Sequence, residues 1–266
     1  MTSPALAPHV PRKKKSNNII AVASGKGGVG KTWFSITLAH ALSHAGLRVL
    51  LFDGDLGLAN VDVQLGLMPE HTLRDVLANR VTLMQARQAY REGGFDVIAG
   101  QSGSGSVTDI SIPRLQALTD DLSIIAADYD RVVIDLGAGI EQNTRLLAAQ
   151  AGMFLVISTD EPTALTDAYT FIKLTRRELP EADIRLVINM INSTREGERV
   201  YNTLLKACEG FLKFSPPLAG VIRRDLKVRE AIRNQTSLLN RAPNSEAAND
   251  VEALAFKLLK TPQSAD

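Results

Sequence analysis

A glycine-rich segment near the N-terminus places the strongest limit on what this chain can fold into. An apolar run at residues 19–23 comes directly before it, and a helical pattern at 31–45 overlaps its end. The segment consists of Gly25, Lys26, Gly27, Gly28, Val29, Gly30, Lys31 and Thr32. A strand, a Gly-x4-Gly-Lys-Thr loop and a helix in this order are typical of a phosphate-binding loop, because glycine lets backbone N–H groups approach phosphates closely. The segment therefore predicts a nucleoside-triphosphate site in an α/β fold.

Two side chains of this loop carry chemistry of their own. Lys31 would place a positive charge at the β- and γ-phosphates, and Thr32 would offer its hydroxyl group to Mg²⁺. The N-terminal end of the following helix adds partial positive charge. All eight residues of the segment are thus predicted nucleotide-binding residues. A glycine-rich turn without a ligand is the alternative.

Short apolar runs alternate with helical patterns along the rest of the chain. Most runs are near-continuous Val, Ile and Leu, which is typical of strands covered on both faces. The predicted strands are 19–23, 48–52, 95–99, 131–134, 153–158, 184–188 and 218–222. The predicted helices are 31–45, 73–78, 113–127, 141–149, 163–178, 196–209, 226–233 and 245–260. This alternation predicts a doubly wound, mostly parallel α/β sheet.

Composition limits the class of protein further. The chain has 266 residues, 45% of them hydrophobic, which suffices for one large domain, predicted at 18–261. Residues 1–17 are predicted to be a disordered tail with a basic run at 12–15, and 262–266 a polar tail. The net charge of +1 provides no field for a polyanion. The single cysteine, Cys208, excludes an internal disulfide and predicts that the protein resides in a reducing cytoplasm. The lack of an 18-residue apolar run predicts no membrane span.

Acidic residues follow two of the predicted strands. Asp53 and Asp55 come directly after the strand 48–52, and Asp135 follows the strand 131–134. Open α/β sheets bind ligands at the carboxyl ends of their strands, and Mg²⁺ is often held there between carboxylates and phosphates. Thr32 and Asp135 are therefore predicted metal-site residues. A solvated acidic turn is the alternative for Asp53 and Asp55.

Lys26 is an uncommon residue at the second position of such a loop. The letters KGGVGKT resemble the deviant Walker A ATPases, a family that includes MinD, ParA and the nitrogenase iron protein. The resemblance implies a SIMIBI-class, MinD-like P-loop NTPase fold that binds ATP and Mg²⁺. It also implies an ATP-dependent homodimer in which Lys26 reaches the partner's phosphates. Slow ATP hydrolysis would then depend on Lys26, Lys31 and Asp55, with Asp55 positioning the attacking water. The same resemblance implies that Asp53 supports the Mg²⁺ shell as a third metal-site residue.

Two further assignments follow from the same resemblance. Residues 137–139, Gly-Ala-Gly, are similar to a second switch segment that senses the γ-phosphate. Asn189 follows the predicted strand 184–188, where the family often places a side chain that binds adenine; an ordinary strand-end Asn is the alternative. Relatives often have Ile-Pro-x-Asp after the next strand, whereas this chain has Arg223 in the place of the proline.

Two longer segments resemble one branch of the family, the flagellar-number ATPases FlhG and FleN. They are residues 55–62, DLGLANVD, and 160–169, DEPTALTDAY. The branch implies control of flagellar number or placement through flagellar-assembly proteins, a signal-recognition-type GTPase or a flagellar transcription regulator. Residues 1–17 lack the DQAxGLR segment with which relatives activate such a GTPase. The helix 245–260 either docks on the core or binds a membrane, so the expected location is the cytoplasm, with the inner membrane face or the cell pole as a second location.

Two other functions stay open within the family. One is a ParA-like partitioning ATPase, which needs a basic face for DNA, and the other is a MinD-like ATPase that places the division site. The candidate basic residues are Arg223, Arg224, Lys227, Arg229 and Arg233. The net charge of +1 nevertheless predicts weak or no DNA binding. His40 and His44 have the spacing of metal ligands but no evident third ligand, and we interpret them as structural residues.

Overall fold

An eight-stranded sheet forms the centre of the computed structural model, which describes residues 16–100 and 110–260. The strands are β1 Ser16–Ala23, β2 Val49–Gly54, β3 Arg87–Tyr90, β4 Phe95–Ile98, β5 Arg131–Leu136, β6 Ala151–Ser158, β7 Asp183–Ile191 and β8 Leu218–Arg223. Their order across the sheet is β3-β4-β2-β5-β1-β6-β7-β8. All pairs of neighbouring strands from β4 to β8 in this order are parallel, whereas β3 pairs antiparallel with β4. The predicted mostly parallel α/β sheet is thereby confirmed.

Helices cover both faces of this sheet. They are α1 Lys31–His44, α2 Val61–Leu65, α3 Leu73–Leu77, α4 Ile112–Ala126, α5 Gln142–Ala148, α6 Pro162–Glu178, α7 Thr194–Leu212, α8 Leu226–Arg233, α9 Leu238–Arg241 and α10 Glu246–Lys260. One buried apolar cluster joins the sheet to α1, α2, α8, α9 and α10, and a second joins it to α3, α4, α5, α6 and α7. The molecule is therefore doubly wound.

Strand β2 shows why the central strands have continuous apolar sequences. Val49 and Leu51 pack into the first cluster, while Leu50 and Phe52 pack into the second. Because successive side chains of a strand point to opposite faces, a strand covered on both sides needs apolar residues at every position. All six residues of β2 are buried, including Asp53 at its carboxyl end.

The sequence did not predict three short elements and misplaced several boundaries, including the start of the first strand. Strand β3 carries the polar residues Arg87 and Gln88 at the edge of the sheet, so it lacks the apolar run of a central strand. Helices α2 and α9 have five and four residues, too few to show a helical period. Strand β1 begins at Ser16, whereas the predicted strand began at residue 19 and the predicted domain at residue 18, because Ser16 pairs with Ala151 of β6. The predicted basic run 12–15 and the tail 262–266 lie outside the described residues.

The C-terminal helix α10 docks on the core. Val251, Leu254, Ala255 and Leu258 are buried in the first apolar cluster against α1 and β8. Phe256 on the outer side is 57% exposed and lies beneath the ammonium group of Lys260. Of the two expectations for this helix, the structure therefore bears out docking. Within residues 16–100 and 110–260, every helix is too short or too polar to cross a lipid bilayer.

Candidate nucleotide-binding site

The sheet brings the predicted loop and the predicted acids to one edge. Strand β5 lies between β1 and β2, so that Asp135 is level with Val22 of β1 and with Asp53 of β2. The glycine-rich loop leaves β1 directly beyond this level and leads into α1. Parallel strands direct their carboxyl ends to the same edge, which explains why residues more than 100 positions apart in the chain meet here.

The loop adopts a conformation that requires glycine. Gly28 and Gly30 have φ angles of 80° and 91°, in the left-handed region that side chains with a Cβ rarely adopt. A Cβ on Gly30 would also overlap the indole of Trp33 and the amide of Asn189. The loop therefore runs close over both side chains, and its backbone N–H groups stay free of neighbouring Cβ atoms.

Lys31 is a buried cation near the acids of the site. Its side chain is 8% exposed, and its Nζ donates a hydrogen bond of 3.0 Å to Ser24 Oγ. Burial lowers the pKa of Lys31, while the charges of Asp135 and Asp55 act in the opposite direction. An ammonium group removed from water is costly unless it meets anions, and a phosphate would supply them at this position.

Asp135 faces the first turn of α1. Its Oδ1 accepts a hydrogen bond of 3.0 Å from Ser35 Oγ, and its carboxylate is 2% exposed. Burial raises the pKa of Asp135 to about 6, although hydrogen bonds from Thr32 and Ser35 and the charge of Lys31 oppose the shift. Thr32 and Asp135 thus lie side by side, as the predicted metal site requires.

Asp53 holds the loop that follows β2. Its carboxylate is fully buried and accepts N–H groups from Asp55, Asn60 and Val61 at 3.2, 3.1 and 3.1 Å. Burial and the negative charge of Asp135 raise the pKa of Asp53 to about 8. Among the described residues, no three His, Cys, Asp or Glu side chains form a metal site on their own. Such acids fit Mg²⁺ that arrives with phosphate oxygens, because Mg²⁺ commonly takes only one or two protein carboxylates.

Asp55 lies at the surface of the site and caps its own turn. Its Oδ1 accepts hydrogen bonds from the N–H groups of Gly57 and Leu58 at 3.2 and 2.9 Å. A Cβ built on Gly137 would lie 3.2 Å from the same oxygen, so the second glycine-rich segment contacts Asp55. That segment also reaches the phosphate loop, since Gly139 N–H donates to the Ser24 carbonyl at 3.0 Å.

Lys26 behaves differently from Lys31. Its side chain is 35% exposed, and its Nζ donates hydrogen bonds to the carboxylate of Glu161 and to Thr163 Oγ1. Both partners belong to the DEPTALTDAY segment at the start of α6. The two lysines of one loop thus have separate surroundings, one inside the site and one at its outer rim.

Asn189 lies behind the loop, fully buried, at one wall of a cavity of about 160 Å³. Its Nδ2 donates a hydrogen bond of 2.8 Å to the Val29 carbonyl. Neither Asn189 Oδ1 nor Trp33 Nε1, which lines the same cavity, has a hydrogen-bond partner among the described residues. Buried polar atoms without partners are uncommon, and a base edge in this cavity would satisfy both.

Part of the predicted basic cluster is neutralised. Arg223 pairs with Asp250 and Glu246, and Lys227 pairs with Glu230. Arg224 follows Arg223, the residue in the place of the expected proline. Its guanidinium group donates a hydrogen bond of 3.2 Å to the Met190 carbonyl, beside the same cavity. Acidic side chains thus neutralise two of the five basic residues of this cluster, Arg223 and Lys227.

Sequence reasoning missed four contributors to the site: Ser24, Trp33, Ser35 and Glu161. Ser35 lies four residues after Lys31, so the helical period could have placed it on the same face. Glu161 and Lys26 are 135 positions apart, and no local pattern connects them. His40 is buried with its Nδ1 2.8 Å from Ser237 Oγ, as expected for a structural residue.

Comparisons with known proteins agree with this geometry. The family model of the CobQ/CobB/MinD/ParA nucleotide-binding domain matches residues 20–238. The antiactivator FleN of Pseudomonas aeruginosa is 38% identical over 93% of this chain and 88% of its own length. The flagellum site-determining protein YlxH of Helicobacter pylori is 30% identical over 92% of this chain and 83% of its own. The septum site-determining protein MinD of Pyrococcus horikoshii, solved with Mg-ADP, has the same fold with a TM-score of 0.77, at 24% identity over 92% of this chain and 97% of that one.

Proposed function

This chain belongs to the CobQ/CobB/MinD/ParA family of nucleotide-binding domains, and we propose that it is an ATP-dependent dimerisation switch that controls flagellar number or placement. The contrast between its two loop lysines carries the proposal. Lys31 is buried beside Asp135, where it serves its own nucleotide. Lys26 lies at the outer rim in a solvent-accessible ion pair with Glu161, where a second copy of the chain can reach it.

The residues of the site divide the work of holding ATP. The backbone of residues 25–32 and the ammonium group of Lys31 bind the phosphates. Thr32 and Asp135 hold Mg²⁺, with Asp53 supporting it, and the cation would neutralise charge on the transferred phosphoryl group. Asn189 receives the exocyclic amine of adenine at its Oδ1, because the bond from Nδ2 to the Val29 carbonyl holds the amide in place and Oδ1 is a buried acceptor without a partner among the described residues.

Hydrolysis is slow because a single chain is incomplete. In the single chain, Asp55 Oδ1 is occupied by the N–H groups of its own turn and is not free to position a water molecule. Lys26 has to reach the phosphates of the partner before its charge can stabilise the transition state, as an arginine finger does. ATP therefore favours the dimer, and loss of the γ-phosphate after hydrolysis releases it.

The proposed cellular role and partners follow from the names of the relatives. One is named an antiactivator and one a flagellum site-determining protein, which favours a flagellar transcription activator or flagellar-assembly proteins as partners. A signal-recognition-type GTPase is the third partner class. The cytoplasm is the proposed location, with the membrane surface or pole reached through partners, since α10 buries its apolar face in the core.

Dimerisation assays on two variants test the proposal. We expect Lys26→Ala to bind ATP but to stay monomeric and inactive, because only the contact in trans is lost. We expect Asp55→Ala to bind ATP, to hydrolyse it at a small fraction of the wild-type rate and to accumulate as a dimer. Light scattering with saturating Mg-ATP measures both states. A monomeric Asp55→Ala protein, or a fully dimeric Lys26→Ala protein, would contradict the switch.

A deletion strain tests the output. We expect altered flagellar number or position by electron microscopy, with normal chromosome segregation by DNA staining. Normal flagella with anucleate cells would instead support ParA-like partitioning, and normal flagella with minicells would support division-site placement. The ion pairs of Arg223 and Lys227 disfavour partitioning, because they neutralise two of the five basic residues that DNA would contact.

A further inference from the structure

Lys26 is held within its own chain by the first turn of α6. Its Nζ donates to the Glu161 carboxylate and, at 2.9 Å, to Thr163 Oγ1. These bonds use two of the three donors of the ammonium group. The neighbouring Gly25 also packs against this helix, since a Cβ there would overlap the backbone of Asp167. The start of the phosphate loop and α6 are therefore in contact at two successive residues.

Glu161 has no other evident task in this position. It is the N-cap residue of α6, yet its side chain forms no capping hydrogen bond to the described residues. Ser, Thr, Asp and Asn are the residues that cap helices well, so Glu is a poor choice for stabilising this helix end. Its carboxylate points instead to Lys26, 135 positions away.

We propose that Glu161 and Thr163 are positioning residues that retain Lys26 in the single chain and compete with the partner's phosphates for its ammonium group. The inference rests on the proposed function, in which Lys26 acts in trans. One ammonium group cannot satisfy the Glu161 carboxylate and a phosphate of the other subunit with the same donors. Dimerisation therefore exchanges the bond to Glu161 for a bond to phosphate.

The contact between Lys26 and Glu161 is weak enough for the partner's phosphates to displace it. The side chains of Lys26 and Glu161 are 35% and 61% exposed, so water and salt weaken the ion pair. Such a pair raises the dimer dissociation constant without preventing dimerisation. The DEPTALTDAY segment thereby raises the protein concentration at which the chain dimerises.

Sedimentation velocity with Mg-AMPPNP over a range of protein concentrations measures the contact. We expect Glu161→Gln to lower the dimer dissociation constant by about two- to fivefold, the size of an exposed ion pair. Thr163→Val should lower it by a smaller factor. The gain of Glu161→Gln should shrink at about 0.5 M salt, where the wild-type pair is already screened. The control Glu178→Gln removes a carboxylate from the other end of α6, where it pairs with Arg145, and should leave the constant unchanged.

A second measurement follows Lys26 itself in the ADP-bound monomer. Amine labelling followed by mass spectrometry should show faster modification of Lys26 in Glu161→Gln than in the wild type, and no change in Glu178→Gln. Equal labelling together with an unchanged or raised dissociation constant would overturn the inference while the switch survives. A wild-type chain that stays monomeric with nucleotide, or a Lys26→Ala chain that dimerises normally, would instead overturn the proposed function and this inference with it.

Discussion

The two ends of helix α1 both bury polar side chains, but they do so in different charge states. At the N-terminal end, Lys31 is buried near Asp135 and Asp55, whose negative charges favour its charged form. At the C-terminal end, His40 is buried between Ser237 and the rings of His44 and Phe95. Burial and the neighbouring His44 lower the pKa of His40 to about 4, so it is neutral at pH 7.

This difference separates a binding end from a structural end. Charged groups removed from water destabilise the empty site and become favourable when a ligand of opposite charge arrives. A neutral histidine bonded to a serine stabilises the fold without any ligand. The comparison predicts that substitutions at the first end change ligand affinity, while substitutions at the second change the free energy of unfolding.

Lys31→Ala should have the largest effect. We expect about a thousandfold loss of ATP affinity, roughly 4 kcal/mol, because two charge-assisted hydrogen bonds to phosphate disappear. Titration calorimetry with Mg-ATP measures it, and Lys26→Ala is the matched control that keeps most of the affinity. Nucleotide affinity equal to that of the wild type would remove the distinction between the two ends.

Acid should weaken the fold through His40. Because its pKa is about 4 when folded and near 6.5 when unfolded, protons bind the unfolded chain more readily. The stability it contributes is complete above pH 6.5 and is lost as the pH falls towards 4. Between pH 7.5 and 4.5 we expect a loss of roughly 2.5 kcal/mol.

Urea unfolding of wild type and His40→Gln at the two pH values isolates this contribution. Gln keeps a polar group near Ser237 but does not titrate, so carboxylates that weaken both proteins in acid cancel in the difference. An equal acid loss in the two proteins would show that His40 does not control stability in this range.

The sequence predicted the binding end better than its surroundings. The glycine-rich loop, Asp53 and Asp135 are local signals, because each follows an apolar run and parallel strands share one ligand edge. The contact between Lys26 and Glu161 joins the loop to a helix start 135 positions later, and only the packing of α6 brings it about.

The structural end carried almost no sequence signal. The spacing of His40 and His44 did not indicate that His40 contacts Ser237. It also did not indicate the four-residue helix α9, which Ser237 caps. Strand β3 was missed for the same reason: its pairing with β4 follows from tertiary contacts rather than from an apolar pattern. Local periodicity thus identifies covered strands and long helices, whereas polar contacts between distant segments require the folded chain.

Ser237→Ala tests the structural end by itself. The hydroxyl group lies 2.8 Å from His40 Nδ1 and accepts the Asn240 N–H at the start of α9. Loss of both contacts should lower the free energy of unfolding by about 2 kcal/mol, one for the helix cap and one for the histidine. Urea unfolding at pH 7.5 measures it. ATP affinity should stay at the wild-type value, and a large drop in affinity would contradict the separation of the ends.

Asn189→Ala should have the smallest effect. The substitution should change the preference for adenine over guanine rather than the free energy of unfolding. The Val29 carbonyl fixes the Asn189 amide so that Oδ1 remains as a buried acceptor. Adenine offers its exocyclic amine to such an acceptor, whereas guanine presents a carbonyl oxygen at the same ring position, which would repel it. We expect the ratio of ATP to GTP affinity to fall about tenfold, or about 1.4 kcal/mol. The ratio is the right measurement because any slackening of the loop at Val29 affects both nucleotides equally. Ser237→Ala provides the control, since it should leave the ratio unchanged. An unchanged ratio in Asn189→Ala would show that this residue only supports the loop and does not recognise the base. Nucleotide affinity would then depend on the contacts of Lys31 and the loop with the phosphates.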